Sequence, residues 1–216
     1  MSLRVPQFLL LIGFASVLAT VPALAEGPPS SPPQTADKVP HVHLEFSAKV
    51  IHRSDGRVRE AQLFVKGDRY RLEHRGGVRT DLGYAGVSIV RLDKQEVWFL
   101  LSQHRQFLVV PIRPDHRLPL TSRLDGETSR LLIGDASSAG RPARLYDVTV
   151  SRAGGAERYY EWVDVEQDLP LKLMSLDRDW SVEYQHVVFS KQADYFFEVP
   201  LGYRRWEPPP VPQEKG

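Results

Sequence analysis

The sequence predicts a mainly β protein, an antiparallel sheet of about ten to twelve strands that must curve or divide. Three observations carry this. Apolar and polar residues alternate with period two through most of residues 41–205. Short turn sequences such as Asp55-Gly56 and Gly67-Asp68 separate the alternating runs. No stretch of a dozen residues shows the 3.6-residue spacing of an amphipathic helix. A flat open sheet of that width would leave two edges and an uncovered face.

The elements follow in order. From His41 to Val50 every second residue is apolar, which places Val42, Leu44, Phe46, Ala48 and Val50 on one face. Asp55-Gly56 then closes a hairpin, because glycine supplies the positive φ that a tight turn needs. The return strand sets Ala61, Leu63 and Val65 on one face. After Gly67-Asp68, a third strand points Tyr70 and Leu72 inward and Arg69, Arg71, Glu73 and Arg75 outward. Gly76-Gly77 reads as a break, followed by a loop near residues 81–84. Strands are then expected at 87–92, 97–101 and 107–110. Residues 112–125 carry Pro114 and Pro119 and have no clean period, so they are either a crossover loop or the housing of one short helix. Strand alternation returns at 131–133, 143–150, 159–165, 171–176 and 181–189, and residues 191–195 suit one helical turn.

Outside this body the composition changes. Arg4, an apolar run from Phe8 to Ala19 and the small residues of Ala23-Leu24-Ala25 form the three regions of a secretory signal peptide, cut after Ala25. Residues 26–40 hold five prolines and read as an extended leader, and residues 206–216 form a proline-rich tail. This makes one folded domain at 41–205 with a periplasmic destination. With no cysteine, packing alone must hold the domain together. The whole chain carries 28 basic and 27 acidic residues. That near balance argues against a nucleic-acid partner, which calls for a concentrated basic footprint.

The motifs Ile89-Val90-Arg91-Leu92-Asp93-Lys94, Val97-Trp98-Phe99-Leu100 and Phe107 near Pro111 resemble the middle strands of the outer-membrane lipoprotein-sorting (LolA-like) superfamily. Leu169-Pro170-Leu171-Lys172 and Phe197-Glu198-Val199-Pro200-Leu201-Gly202-Tyr203 are similar to its usual ending. The resemblance implies an incomplete, strongly bent antiparallel barrel with few short helices and an apolar concave side. It also implies shelter of lipid or lipoprotein acyl chains, in the service of transport and outer-membrane biogenesis. The chain departs from that pattern in its proline-rich leader, which stands where a helix is expected, and in its shortened inter-strand helices.

An apolar concave sheet holds a chain without any catalytic group, gaining roughly 0.8 kcal/mol per buried methylene. Candidate lining residues are Phe46, Phe64, Tyr70, Trp98, Leu100, Phe107, Tyr146, Tyr160, Trp162 and Tyr184. Periodicity leaves open which face is concave, and ordinary core packing is the competing role for each residue. If the Trp98 strand lines the cavity, a charge at that position abolishes lipid carriage. By the family likeness, Arg91 falls in the strand near the mouth, where an inward guanidinium would hold a lid carbonyl, and a surface cation is its plainer role. An envelope protein partner that uses the same sheet, without a cavity, is the alternative, and peripheral membrane contact is compatible with either.

Enzymatic readings lack support. Thiolate chemistry is excluded, no glycine-rich loop joins a strand to a helix, and no nucleophile elbow is present. Asp147, Glu161 and Asp164 fall on neighbouring strands, where solvated carboxylates are commonplace. His41 and His43 share a face with Glu45, fewer ligands than a stable metal site generally uses, and no cofactor is expected. The basic series Arg57, Arg59, Lys66, Arg69, Arg71, Arg75 and Arg79 suits anionic headgroups, but Glu60, Asp68 and Glu73 interrupt it.

Overall fold

Residues 44–207 are described by a computed structural model. The expected signal peptide and leader, His41, His43 and the tail beyond residue 207 lie outside the described residues. Twelve strands form one sheet: β1 (Glu45–Ser54), β2 (Arg57–Lys66), β3 (Arg69–Thr80), β4 (Gly83–Arg91), β5 (Glu96–Leu101), β6 (Gln106–Pro111), β7 (Glu127–Ser138), β8 (Arg141–Arg152), β9 (Gly155–Asp164), β10 (Pro170–Ser175), β11 (Trp180–Phe189) and β12 (Arg204–Arg205). Two short 3-10 turns, Pro114–His116 and Asp194–Phe197, are the only helical elements among the described residues. The spatial order is β12-β6-β5-β4-β3-β2-β1-β11-β10-β9-β8-β7, and every pair is antiparallel except β12 with β6. The sheet does not close, because β7 and β12 are its edges.

Turn chemistry sets the register. Asp55 and Gly56 have φ of 51° and 70°, and Ala139 and Gly140 have 51° and 79°. Both pairs are doubly left-handed turns, whose twist matches that of the strands they join. Gly76-Gly77 corrects the sequence reading: β3 does not stop there. With φ of 89° and 76° the two glycines form a bulge, and β3 advances from Glu73 to Val78 while β4 moves only from Val87 to Ala85. Such an insertion bends its strand without ending the pairing.

That β3 bulge has a second effect. Pairing of β3 with β2 ends at Ala61 and His74, whereas β2 continues beside β1 to Arg57 and β3 continues beside β4 to Thr80. The sheet therefore splits at this end, and an Arg75–Glu60 ion pair of 3.1 Å bridges the split.

The sheet's bend follows from one connection. Along the strand order, ten spacings separate β6 from β7, about 48 Å on a flat sheet. Residues 112–126 make that journey and reach only roughly 50 Å when fully extended, yet they include a 3-10 turn. The sheet must curl so that its two ends approach. Inside the curl lies one large apolar cluster that includes Phe46, Leu63, Val65, Tyr70, Val90, Phe99, Val148, Leu171 and Tyr184. Leu118, Leu120 and Leu124 of the crossover pack onto it. The outer face carries a smaller cluster of Ile89, Trp98 and Leu100, covered by Val199 and Tyr203 of the C-terminal segment.

The end of the crossover is set by Gly126, whose φ is +78° and whose missing Cβ would lie 2.8 Å from the Ser151 carbonyl. Its own carbonyl accepts from Ser151 N–H at 2.8 Å. Gly126→Ala is expected to destabilise the domain by roughly 1–3 kcal/mol, since it adds both strain and a backbone clash. A thermal midpoint equal to the parent's would contradict this.

Candidate functional site

The inner face is not filled throughout. Between β1–β6 and the start of the crossover lies a cleft of about 520 Å³. Its floor is built from strand residues of one parity: Val50, Ala61, Leu72, Val90, Val97, Phe99, Leu108 and Val110. Pro111, Arg113, Asp115, His116 and Leu118 form its roof.

Two buried tyrosines hold that roof. Tyr70 Oη donates to the His116 carbonyl, and Tyr184 Oη donates to the Pro119 carbonyl at 2.9 Å. Burial pushes both phenols above their ordinary range, so they remain protonated donors. These donors stand on β3 and β11, three strand spacings apart, yet they grip carbonyls three residues apart. The His116 ring meets Phe99 edge-on at 5.9 Å. Farther along, Ser122 Oγ donates to Asp168 at 2.7 Å, and the Ser122 carbonyl accepts from Arg130.

Arg130 sits at the centre of a buried ionic cluster. Its Nη2 lies 2.9 Å from Glu127 and 2.8 Å from Glu161, and its guanidinium stacks 4.8 Å from the Tyr146 ring. Glu161 is fully buried and its Oε1 has no hydrogen-bond partner. Burial pushes its carboxyl up to about 7 despite Arg130, with Glu127 and Asp168 adding repulsion. Asp147 and Asp164 are engaged separately, with Arg158 and Arg141.

One end of the cleft is polar. His52, Arg59, His74 and Ser88 lie on β1 to β4, next to the split, and Arg79, Thr80 and Asp81 come from the β3–β4 hairpin. His74 Nε2 and Ser88 Oγ are 2.6 Å apart. Burial, with the neighbouring Arg59 charge, pushes His74 down to about 4, and the same two causes lower His52. Both imidazoles are therefore neutral near pH 7.

None of the eleven residues singled out from the sequence lines this cleft directly. Phe46, Tyr70, Tyr146 and Tyr184 belong to the inner cluster, and Tyr70 and Tyr184 hold the roof. Trp98, Leu100 and Phe107 pack together on the outer face. Phe64 stacks on Phe196 at 4.8 Å, and Tyr160 meets Trp162 edge-on at 6.3 Å with Lys172 over the indole. Arg91 is buried and forked onto Asp93 at 2.9 and 2.7 Å, with Glu198 at 3.3 Å and the Trp98 ring at 4.9 Å. It therefore binds carboxylates of the outer face, and no lid carbonyl is among its partners. The basic series is also largely self-paired: Lys66 and Arg69 share Asp194, Arg71 holds Glu73, and Arg75 holds Glu60. Sequence reasoning missed Leu108, Val110, His74 and Ser88 as cleft residues. Their strand parity was available, but the face that would be covered was not.

No family model and no curated protein match the chain. Solved structures do match. MucB is similar at 19% identity over 74% of this chain and 59% of MucB, with a TM-score of 0.49. This chain thus spans a little over half of that protein. MucB in complex with MucA(peri) gives 18% identity over 73% and 55%, with a TM-score of 0.48. A domain described as an outer membrane lipoprotein-sorting protein, from Vibrio parahaemolyticus, gives 10% identity over 70% of this chain and 88% of that one, with a TM-score of 0.34.

Proposed function

We propose that this is a non-enzymatic periplasmic binding protein, exported by a signal peptide cut after Ala25, that shelters an apolar chain in the roofed cleft. The observation that carries this reading is a 520 Å³ space, floored by eight apolar side chains, that the protein's own core leaves open. Its size falls within the roughly 300–1,000 Å³ typical of ligand pockets. Each methylene moved from water to that floor gains roughly 0.8 kcal/mol, so shelter needs no reacting group.

Mass spectrometry of the protein purified gently from its host is expected to find a co-purifying lipid. Leu108 is half-buried and faces the cleft, so Leu108→Asp is expected to weaken a neutral apolar fluorophore such as N-phenylnaphthylamine at least tenfold while leaving the circular dichroism spectrum unchanged. Undiminished fluorophore binding by the folded variant would remove the cleft from the mechanism.

A second reading, contact with an envelope protein, is favoured by the free edge strand β7, where Leu131, Leu132 and Ile133 are 65, 52 and 51% exposed. Edge strands with exposed apolar residues are ready templates for a further strand.

A further inference from the structure

Resting on the shelter reading, we propose that the polar end of the cleft, Arg59 and Arg79 with the imidazoles of His52 and His74, is a subsite for the anionic head of a single-chain amphiphile. The ligand class is a carboxylate or phosphate monoester carrying one apolar chain.

Glu60 is already held by Lys49 at 3.2 Å and by Arg75 at 3.1 Å, and Asp115 is held by Arg113 at 3.0 Å. Among the described residues no carboxylate lies within ion-pair distance of Arg59 or Arg79, and Asp81 is the one lining carboxylate without a cationic partner. The mouth thus carries a net excess of positive charge facing an apolar floor.

Geometry makes the excess local. Arg59 stands directly across the β1–β2 hairpin from His52, and His74 lies opposite Ala61, where the β2–β3 pairing ends. Arg59, His52 and His74 all line this end of the cleft, and the Arg59 charge lowers both imidazoles. A neutral imidazole donates one N–H, His74 already meets Ser88 Oγ through Nε2 at 2.6 Å, and a guanidinium offers forked donors that match carboxylate and phosphate oxygens. Arg59 and His74 line the cleft beside the split, where β2 and β3 no longer pair.

The apolar part is sized for one chain. From the polar end the floor runs through Leu72 and Val90 to Phe99 and Val110, across four adjacent strands, and the volume suits one drug-sized molecule rather than a lipid with several chains.

The test is displacement of N-phenylnaphthylamine from the full secreted protein by dodecanoate, dodecyl phosphate, dodecanol and inorganic phosphate. The two anions are expected to displace it at concentrations at least tenfold below dodecanol, with a preference that shrinks in high salt. An Arg59→Gln/Arg79→Gln double variant, altering two exposed side chains, should reduce that preference to less than twofold while leaving dodecanol unchanged. Equal displacement by dodecanol and dodecanoate, or a preference that survives the double substitution, overturns the subsite and leaves the shelter reading standing. Phosphate alone acting as strongly as dodecyl phosphate overturns the amphiphile assignment. A fluorophore that never binds overturns both readings.

Discussion

Glu161→Gln is expected to gain stability over the parent protein as pH rises, by about 3 kcal/mol between pH 4.5 and pH 7. The sign follows from the direction of the shift. Burial raises the folded-state carboxyl from 4.5 to about 7, so the folded form holds its proton longer than the unfolded chain does. Stability from this group is complete below pH 4.5 and is lost as pH climbs through 7. A glutamine keeps the oxygen that accepts from Arg130 and has no proton to lose.

His74 acts in the opposite sense. Its folded-state value of about 4 lies below the ordinary 6.5, so its contribution is present above pH 6.5 and is lost as pH falls toward 4. The parent's own profile is therefore nearly level between the two, and the difference between parent and variant is the diagnostic quantity. Urea titrations at four pH values measure it. A difference that stays constant from pH 4.5 to 8 would mean that Glu161 is not buried as described. Because Arg130 also holds the Ser122 carbonyl, the protection of the amides of residues 120–126, corrected for base-catalysed intrinsic exchange, is expected to fall in the parent above pH 7 and to stay level in the variant.

Trp98→Ala is expected to cost about 3–5 kcal/mol without changing the affinity of the folded protein for an apolar probe. The indole is 7% exposed, bonds Glu96 at 2.8 Å through Nε1, and lies beneath Arg91 and Lys94 on the outer face. Its neighbour Phe99 points the other way, into the cleft. Phe99→Ala should cost a comparable amount of stability and also change probe affinity, because it enlarges the space the probe occupies. Denaturation midpoints and probe titrations of the two variants separate the faces. If Trp98→Ala alters probe affinity and Phe99→Ala does not, the assignment of inner and outer faces is reversed.

The sequence disclosed more of the strands than of the site. Alternation located nearly every strand of the sheet, and Asp55-Gly56 fixed a hairpin by local backbone freedom alone. The Gly76-Gly77 pair was misread because a bulge and a strand end share the same local signature. What distinguishes them is whether β4 continues alongside, which is a long-range fact. β12 escaped for a related reason. Two arginines have no strand pattern of their own, and they form a strand only because β6 offers free backbone groups. The candidate lining residues are aromatic apart from Leu100. Aromatic rings on both faces of the β5 and β9 strands carry no mark of which face will be covered.

Period-two patterning and turn residues were sufficient for a mainly β antiparallel sheet, since these depend on interactions within a few residues. The face that the curl encloses, the roof laid by residues 112–126 and the gathering of Arg59, His52 and His74 at one end of the cleft required the folded chain. They arise where strands remote in sequence converge, and a residue's parity says that it shares a face with its neighbours without saying what that face will meet.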